Sequence, residues 1–210
     1  GEACDPEPGM RVLDCCAAPG GKSTHLAELM GDVGEVLAND IHAHKERLIV
    51  EQAGRLGLTS VRTLVGDAAD LPYRVGRGTM DIVLLDAPCS GFGVIRRKPE
   101  IRWKKKPEDI DELAAVQYRL LKAAAAVVKP GGLLVYSTCT FEPRENGEQI
   151  ARFLAAHPEF APDADWPRPV LEAFRGAGLP EPDPGTGSLT LLPHMAGTDG
   201  FFIARLRRLK

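Results

Sequence analysis

Two cysteines stand just behind apolar, strand-like runs. Ile82-Val83-Leu84-Leu85 leads through Asp86-Ala87-Pro88 to Cys89, and Leu133-Leu134-Val135-Tyr136 leads through Ser137-Thr138 to Cys139. A cysteine thiolate is a strong nucleophile, able to split one difficult step into two easier ones through a covalent intermediate. In an open α/β sheet the carboxyl ends of the strands form the ligand crevice. Both thiols are therefore expected at one crevice, one attacking a substrate and the other assisting.

A glycine-rich stretch, Cys16-Ala17-Ala18-Pro19-Gly20-Gly21-Lys22, follows the strand-like Arg11-Val12-Leu13-Asp14-Cys15 and precedes a helical pattern. A strand, a Gly-rich turn and a helix start make a site for a nucleotide-like ligand. A phosphate-binding P-loop needs a first glycine where Cys16 stands, and the G-x-G-x-x-G dinucleotide pattern is absent. S-adenosylmethionine is the third candidate. It has no phosphate but carries a ribose, an adenine, a carboxylate and an ammonium. Asp40, closing the second strand, is placed to accept from both ribose hydroxyls, Asp67, closing the third, from the adenine amine, and Asp14 or Asp86 to face the ammonium. Each acid alone reads as a turn former or helix cap; acids closing successive strands at one edge read as a site.

These residues need a frame. Strands are expected over 11–15, 35–40, 61–65, 82–85 and 133–136, with helices over 23–30, 44–56, from Pro107 to about Val128, and 145–156. Gly57 closes one helix, and Pro130-Gly131-Gly132 turns another into a strand. The Pro-, Gly- and Asp-rich span 157–188 reads as irregular, and 188–192 with 200–206 as a final antiparallel strand pair. Alternating strands and helices predict an α/β fold, a mostly parallel sheet with helices on both faces. Too few βα units are present for a TIM barrel.

A chain of 210 residues is long enough for one well-buried domain, 1–210. The net charge of -3 gives no global sign of nucleic-acid binding, so any such signal must be local. It lies just after Cys89: Arg96, Arg97, Lys98, Arg102, Lys104, Lys105 and Lys106, interleaved with Trp103 and opposed by Glu100. A charge run is commonly a solvated face. Next to an aromatic and a reactive loop, this one reads as holding phosphates and stacking a base. The five cysteines form no metal-ligand spacing, and no run suits a membrane helix or secretory signal, so no metal, no membrane and a cytoplasmic setting are expected.

Asp14-Cys15-Cys16-Ala17-Ala18-Pro19-Gly20-Gly21-Lys22, Asp86-Ala87-Pro88-Cys89-Ser90-Gly91 and Ser137-Thr138-Cys139-Thr140 resemble the signature blocks of the Nop/Sun family of RNA cytosine-5 methyltransferases. Glu142-Pro143-Arg144-Glu145-Asn146 and Asp199-Gly200-Phe201-Phe202 fit the same pattern, so the resemblance runs in order along nearly the whole chain. It implies a class I S-adenosylmethionine-dependent methyltransferase sheet (Rossmann-like), with Cys16 to Lys22, Asp40, Asp67 and Asp86 at the cofactor. It further implies Cys139 as the nucleophile and Cys89 as its partner, whereas a DNA cytosine-5 enzyme would use the cysteine of the Pro-Cys pair.

The implied chemistry is addition of a thiolate to C6 of cytosine, which activates C5 for methylation. Cys89 then assists release, and Asp86 reads the N4/N3 edge of the base. RNA, ribosomal first, is the expected partner, bound by Arg96, Arg97, Lys98, Arg102, Trp103 and Lys104; a monomer is expected. A transfer-RNA substrate, a DNA cytosine methyltransferase and a catalytically silent RNA-binding or ribosome-assembly module are the alternatives. Family members carry upstream sequence and an N-terminal RNA-binding domain, so the chain is expected to be a fragment of a longer protein, and Gly1-Glu2-Ala3 to be structureless.

Overall fold

The computed structural model describes residues 1–195 and 197–210. Five strands run parallel: β1 (Arg11–Asp14), β2 (Glu35–Asp40), β3 (Val61–Val65), β4 (Met80–Asp86) and β5 (Val128–Thr138). Helices α1 (Gly21–Leu29), α2 (Ala43–Arg55), α3 (Leu71–Arg74), α4 (Ile101–Lys104), α5 (Pro107–Val127), α6 (Gly147–Ala156) and α7 (Arg168–Gly176) connect or follow them. The last strands are β6 (Phe160–Pro162), β7 (Ser188–Leu191) and β8 (Phe201–Arg208). The sheet order is β3-β2-β1-β4-β5-β8-β6, with β7 also on β8. β8 runs antiparallel to β5, β6 and β7. Strand order reverses between β1 and β4, the switch point where an open α/β sheet opens a crevice.

Alternation along the strands divides the core. Val83, Leu85, Leu134 and Tyr136 pack with Leu120, Leu121 and Ala124 of α5 and with Ile150 and Phe153 of α6. Ile82, Leu84, Leu133 and Val135 face the other way, onto Leu26, Ala27 and Met30. Successive side chains point to opposite faces of a strand, and both faces here are covered, which is why the parallel strands read as unbroken apolar runs.

Three expectations fail. The span 157–188 is not wholly irregular: it holds β6 and α7, and Trp166 and Val170 form a small core with Ala3 and Leu189. A three-residue strand is too short to show a period, and the docking stripe of α7 is brief. Nor are residues 1–3 structureless: Glu2–Cys4 forms a 3-10 turn, Cys4 is buried, and the carbonyl of Ala3 accepts from the buried Arg205 guanidinium. β5 also begins at Val128, before Pro130-Gly131-Gly132 rather than after it, and its pairing with β4 shifts register there.

Candidate active site

Strands β1, β2, β4 and β5 end in Asp14, Asp40, Asp86 and Thr138 at the same edge, and β3 ends in Val65, two residues before Asp67. The loop after β1 is held against its neighbours by main-chain bonds, Cys15 N to Leu84 O (2.9 Å) and Ala17 N to Asn39 O (2.8 Å). Gly20 has φ +109°, and a Cβ there would lie 3.0 Å from Cα of Ile49, so only glycine lets the loop pass α2 this closely. Asp40 accepts from Ala18 N through Oδ2 (3.2 Å) and from His42 N through Oδ1 (3.0 Å). Asp67 accepts from Ala69 N and pairs with Arg119 at 3.3 Å.

A cavity of about 390 Å³ opens over this edge. Cys16, Ala18, Asp40, Asp67, Asp86, Cys89 and Cys139 line it. Ala17, Pro19, Gly20, Gly21 and Lys22 are not among its lining residues. They shape the turn into α1, and Lys22 Nζ lies 2.6 Å from Asp86 Oδ2. His42, Lys45 and Arg119 add positive or titratable groups to the lining that the sequence reading missed. His42 and Lys45 were findable as the residues just past Asp40. Arg119 sits within a 21-residue helix and carries no sequence signal.

Asn39, Asp40, Asp67 and Asp86 give the cavity its acceptors; Asp14, expected there, is not among its lining residues. Asp14 is fully buried, with Oδ2 accepting from Ser23 Oγ (2.7 Å) and Oδ1 without a partner. Burial pushes its pKa up to about 6, against the Ser23 bond. Asn39 donates to Cys15 O and Gly66 O, and its Oδ1 is also unpartnered. Carboxylates and orphaned carbonyl oxygens suit a ligand that presents hydroxyls, amines and positive charge, and they repel a phosphate chain. S-adenosylmethionine meets that description.

Cys89 and Cys139 come together with sulfurs 3.3 Å apart, both as free thiols. The hydrogen bond from Cys89 holds the Cys139 pKa below the ordinary thiol value; burial and Asp86 oppose this, and Lys22 adds to it. The same bond, with burial, drives Cys89 up. Cys139 is thus the more acidic thiol of the pair. Burial pushes the other thiols up, Cys4 to about 11, Cys15 well above its usual value, and Cys16, partly buried in the cavity lining, to about 12.

The basic segment after Cys89 divides in two. Arg96 and Arg97 both bind Asp199, at 3.3 and 3.1 Å, and Arg96 also donates to Gly197 O, which fastens this segment to the start of β8. Lys98, Arg102 and Lys104 are exposed and, among the described residues, pair with no carboxylate. Trp103 is 86% exposed. Among the described residues no cluster of three or more His, Cys, Asp or Glu side chains could hold a metal ion, and no helix is long and apolar enough to cross a membrane.

A protein family described as 16S rRNA methyltransferase RsmB/F matches residues 2–207. A protein of Bacillus subtilis (strain 168) named "Probable ribosomal RNA small subunit methyltransferase B" is 48% identical over 206 residues, covering 98% of this chain and 45% of its own length. Among solved structures, PH0851 superposes with a TM-score of 0.87 at 40% identity, over 97% of this chain and 44% of that one. NSun6 from Pyrococcus horikoshii with SFG superposes with a TM-score of 0.79 at 32% identity, over 98% of this chain and 49% of that one. The chain therefore spans less than half the length of these relatives.

Proposed function

The chain belongs to the 16S rRNA methyltransferase RsmB/F family, and from that premise we propose that it is the methyltransferase core of an enzyme that methylates C5 of cytosine in small-subunit ribosomal RNA, using S-adenosylmethionine. The observation that carries the reading is the thiol pair, 3.3 Å apart in the lining of an acceptor-rich cavity. SFG, which accompanies the NSun6 neighbour, is an analogue of S-adenosylmethionine. Asp40 and Asp67 would hold the ribose and adenine, and Asp14 or Asp86 would face the ammonium. Bound there, the cofactor supplies an electrophilic methyl group.

The residues of the chain do the rest. Cys139, the more acidic of the two thiols, adds as the thiolate to C6 of cytosine and places on C5 the electron pair that would form the bond to the methyl group as the methyl–sulfonium bond breaks. Asp86, steadied by Ser137 Oγ at 2.8 Å and by Lys22, presents an acceptor to the base edge. Once the Cys139 sulfur is bonded to carbon, it no longer carries the negative charge that kept Cys89 protonated. The Cys89 pKa falls, its proton passes to solvent, and its thiolate removes the C5 proton. The electrons of the C5–H bond then reform the C5–C6 double bond and expel Cys139. Lys98, Arg102, Trp103 and Lys104 hold the RNA strand, from which the target base must be unstacked.

Full-length protein is incubated with cytidine-containing ribosomal RNA and S-adenosylmethionine, then run on a denaturing gel. Cys89→Ala is expected to accumulate an RNA adduct, and Cys139→Ala to give neither adduct nor 5-methylcytosine. The reverse pattern would transfer the nucleophile's role to Cys89.

A further inference from the structure

Glu145 and Asn146 lie between β5 and α6, and neither lines the cavity. Both are buried, Glu145 with no exposed surface at all. A buried carboxylate is costly unless its lone pairs are met, and here they are met by the loop that carries Cys89. Glu145 Oε1 accepts from Ser90 N at 2.8 Å, and Oε2 accepts from Ser90 Oγ at 2.5 Å. Gln117 of α5 gives one amide hydrogen to Glu145 Oε1 and the other to Pro88 O, both at 2.9 Å. Cys89 is thereby gripped on both flanks, at residue 88 through Gln117 and at residue 90 directly.

Asn146 does the same for the other thiol. Its Oδ1 accepts from Thr138 Oγ1 at 2.5 Å, and its Nδ2 donates to Thr140 O at 2.9 Å. These are the two neighbours of Cys139. Asparagine at a helix N-cap normally spends its side chain on the first-turn amides. Asn146 is the N-cap of α6, yet its side chain makes no capping bond. One cross-link joins the halves: Thr140 Oγ1 lies 2.9 Å from Ser90 Oγ. Because the Ser90 hydroxyl proton points at Glu145, Thr140 donates. Stabilising α6 alone would call for none of these contacts.

We infer that Glu145 and Asn146 form a positioning clamp for the dithiol, Glu145 fixing the loop of Cys89 and Asn146 fixing the loop of Cys139. As consecutive residues they cannot move apart, so the two sulfurs are set against one another. For its consequence in turnover the inference rests on the covalent reading above, but the clamp itself is a statement about geometry.

The first test needs neither RNA nor cofactor. The rate of Cys139 alkylation by iodoacetamide is followed against pH and read by peptide mass spectrometry. The groups facing Cys139 are Cys89, Asp86 and Lys22, so Cys89→Ala fixes the midpoint for a thiolate without its donor. Glu145→Gln, which replaces one acceptor oxygen with a donor, is expected to move the midpoint upward toward that of Cys89→Ala. Gln117→Met, which keeps the bulk but frees Pro88, moves it the same way by less and serves if Glu145→Gln does not fold. A midpoint that Glu145→Gln and Gln117→Met both leave in place overturns the clamp, as does one that Cys89→Ala leaves in place.

The adduct gel then separates the two arms. Glu145→Gln is expected to release the RNA adduct roughly tenfold more slowly, a lost charge-assisted bond being of that order. Asn146→Ala is expected to form it more slowly without retaining it. Equal losses in both steps for both variants would mean simple destabilisation and overturn the assignment. Absence of adduct from Cys89→Ala would sink the covalent reading while the alkylation midpoints still decide the clamp.

Discussion

Asp14 shows how much a single buried oxygen can do. Its folded pKa of about 6 lies above the ordinary 3.8, so the folded chain holds the proton more tightly than the unfolded chain does. Its contribution to stability is complete below about pH 4 and is lost as pH rises through about 6. Above that, the buried charge costs ~3 kcal/mol in the ligand-free protein. The urea midpoint is therefore expected to fall between about pH 4 and about pH 6, and Asp14→Asn to remove most of that fall; a wild-type midpoint flat across this range would contradict it. The sequence marked Asp14 as a strand-ending acid but could not reveal that one oxygen is unpartnered. Glu145 and Asn146 were legible only as part of a resembling motif: the partners of Glu145 lie 28 and 55 residues away, and those of Asn146, only 8 and 6 residues back, are reached through a turn that no local pattern marks. The cysteines were legible because each follows a strand, and strand ends share an edge.

Among the elements, β8 ties the periphery to the core. Its outer edge is shared end to end by β6, opposite residues 206–208, and β7, opposite 201–204. Between them sits Arg205, 2% exposed, which donates to Ala3 O and to Asp165 O (2.9 Å) and pairs with Asp163 at 3.2 Å. One guanidinium thus fastens the first turn and the 157–188 span to the sheet. Arg205→Ala removes its partner from a carboxylate that is itself 6% exposed, and breaking such a pair costs about 3–5 kcal/mol. Arg207 remains on Asp163 at 2.5 Å, which places the expected loss near the lower bound. Urea unfolding measures it, and a loss under about 1 kcal/mol would show that the pair does not anchor these elements. Helical periodicity and caps made the long elements readable. β6 and α7 were hidden because their stability comes from Arg205, Trp166 and β8, not from local pattern.

At the scale of the whole molecule, a net charge of -3 coexists with exposed basic residues that follow Cys89 closely in the sequence. Lys98, Arg102 and Lys104 are expected to set the salt dependence of RNA binding, with Arg96 and Arg97 engaged in holding the loop to Asp199. Replacing those three with alanine should lower the slope of log K against log salt by about 0.7 per lost phosphate contact. Arg96→Ala should leave the slope nearly unchanged and lower thermal stability instead. A slope identical in the triple variant and wild type would place the RNA elsewhere. The order of the five parallel strands and of the long helices between them, the acids at strand ends, the glycine turn and the identity of both cysteines were determined by the sequence alone, since each follows from local pattern and from where strands end in a parallel sheet. Tertiary structure decided what depends on approach: the 3.3 Å between sulfurs, which of the two thiols is the more acidic, which loop residues line the cavity and which arginines pair with Asp199. Hydrogen bonds and pKa shifts act over a few ångströms, and separation along the chain says nothing of those distances until the sheet has closed them.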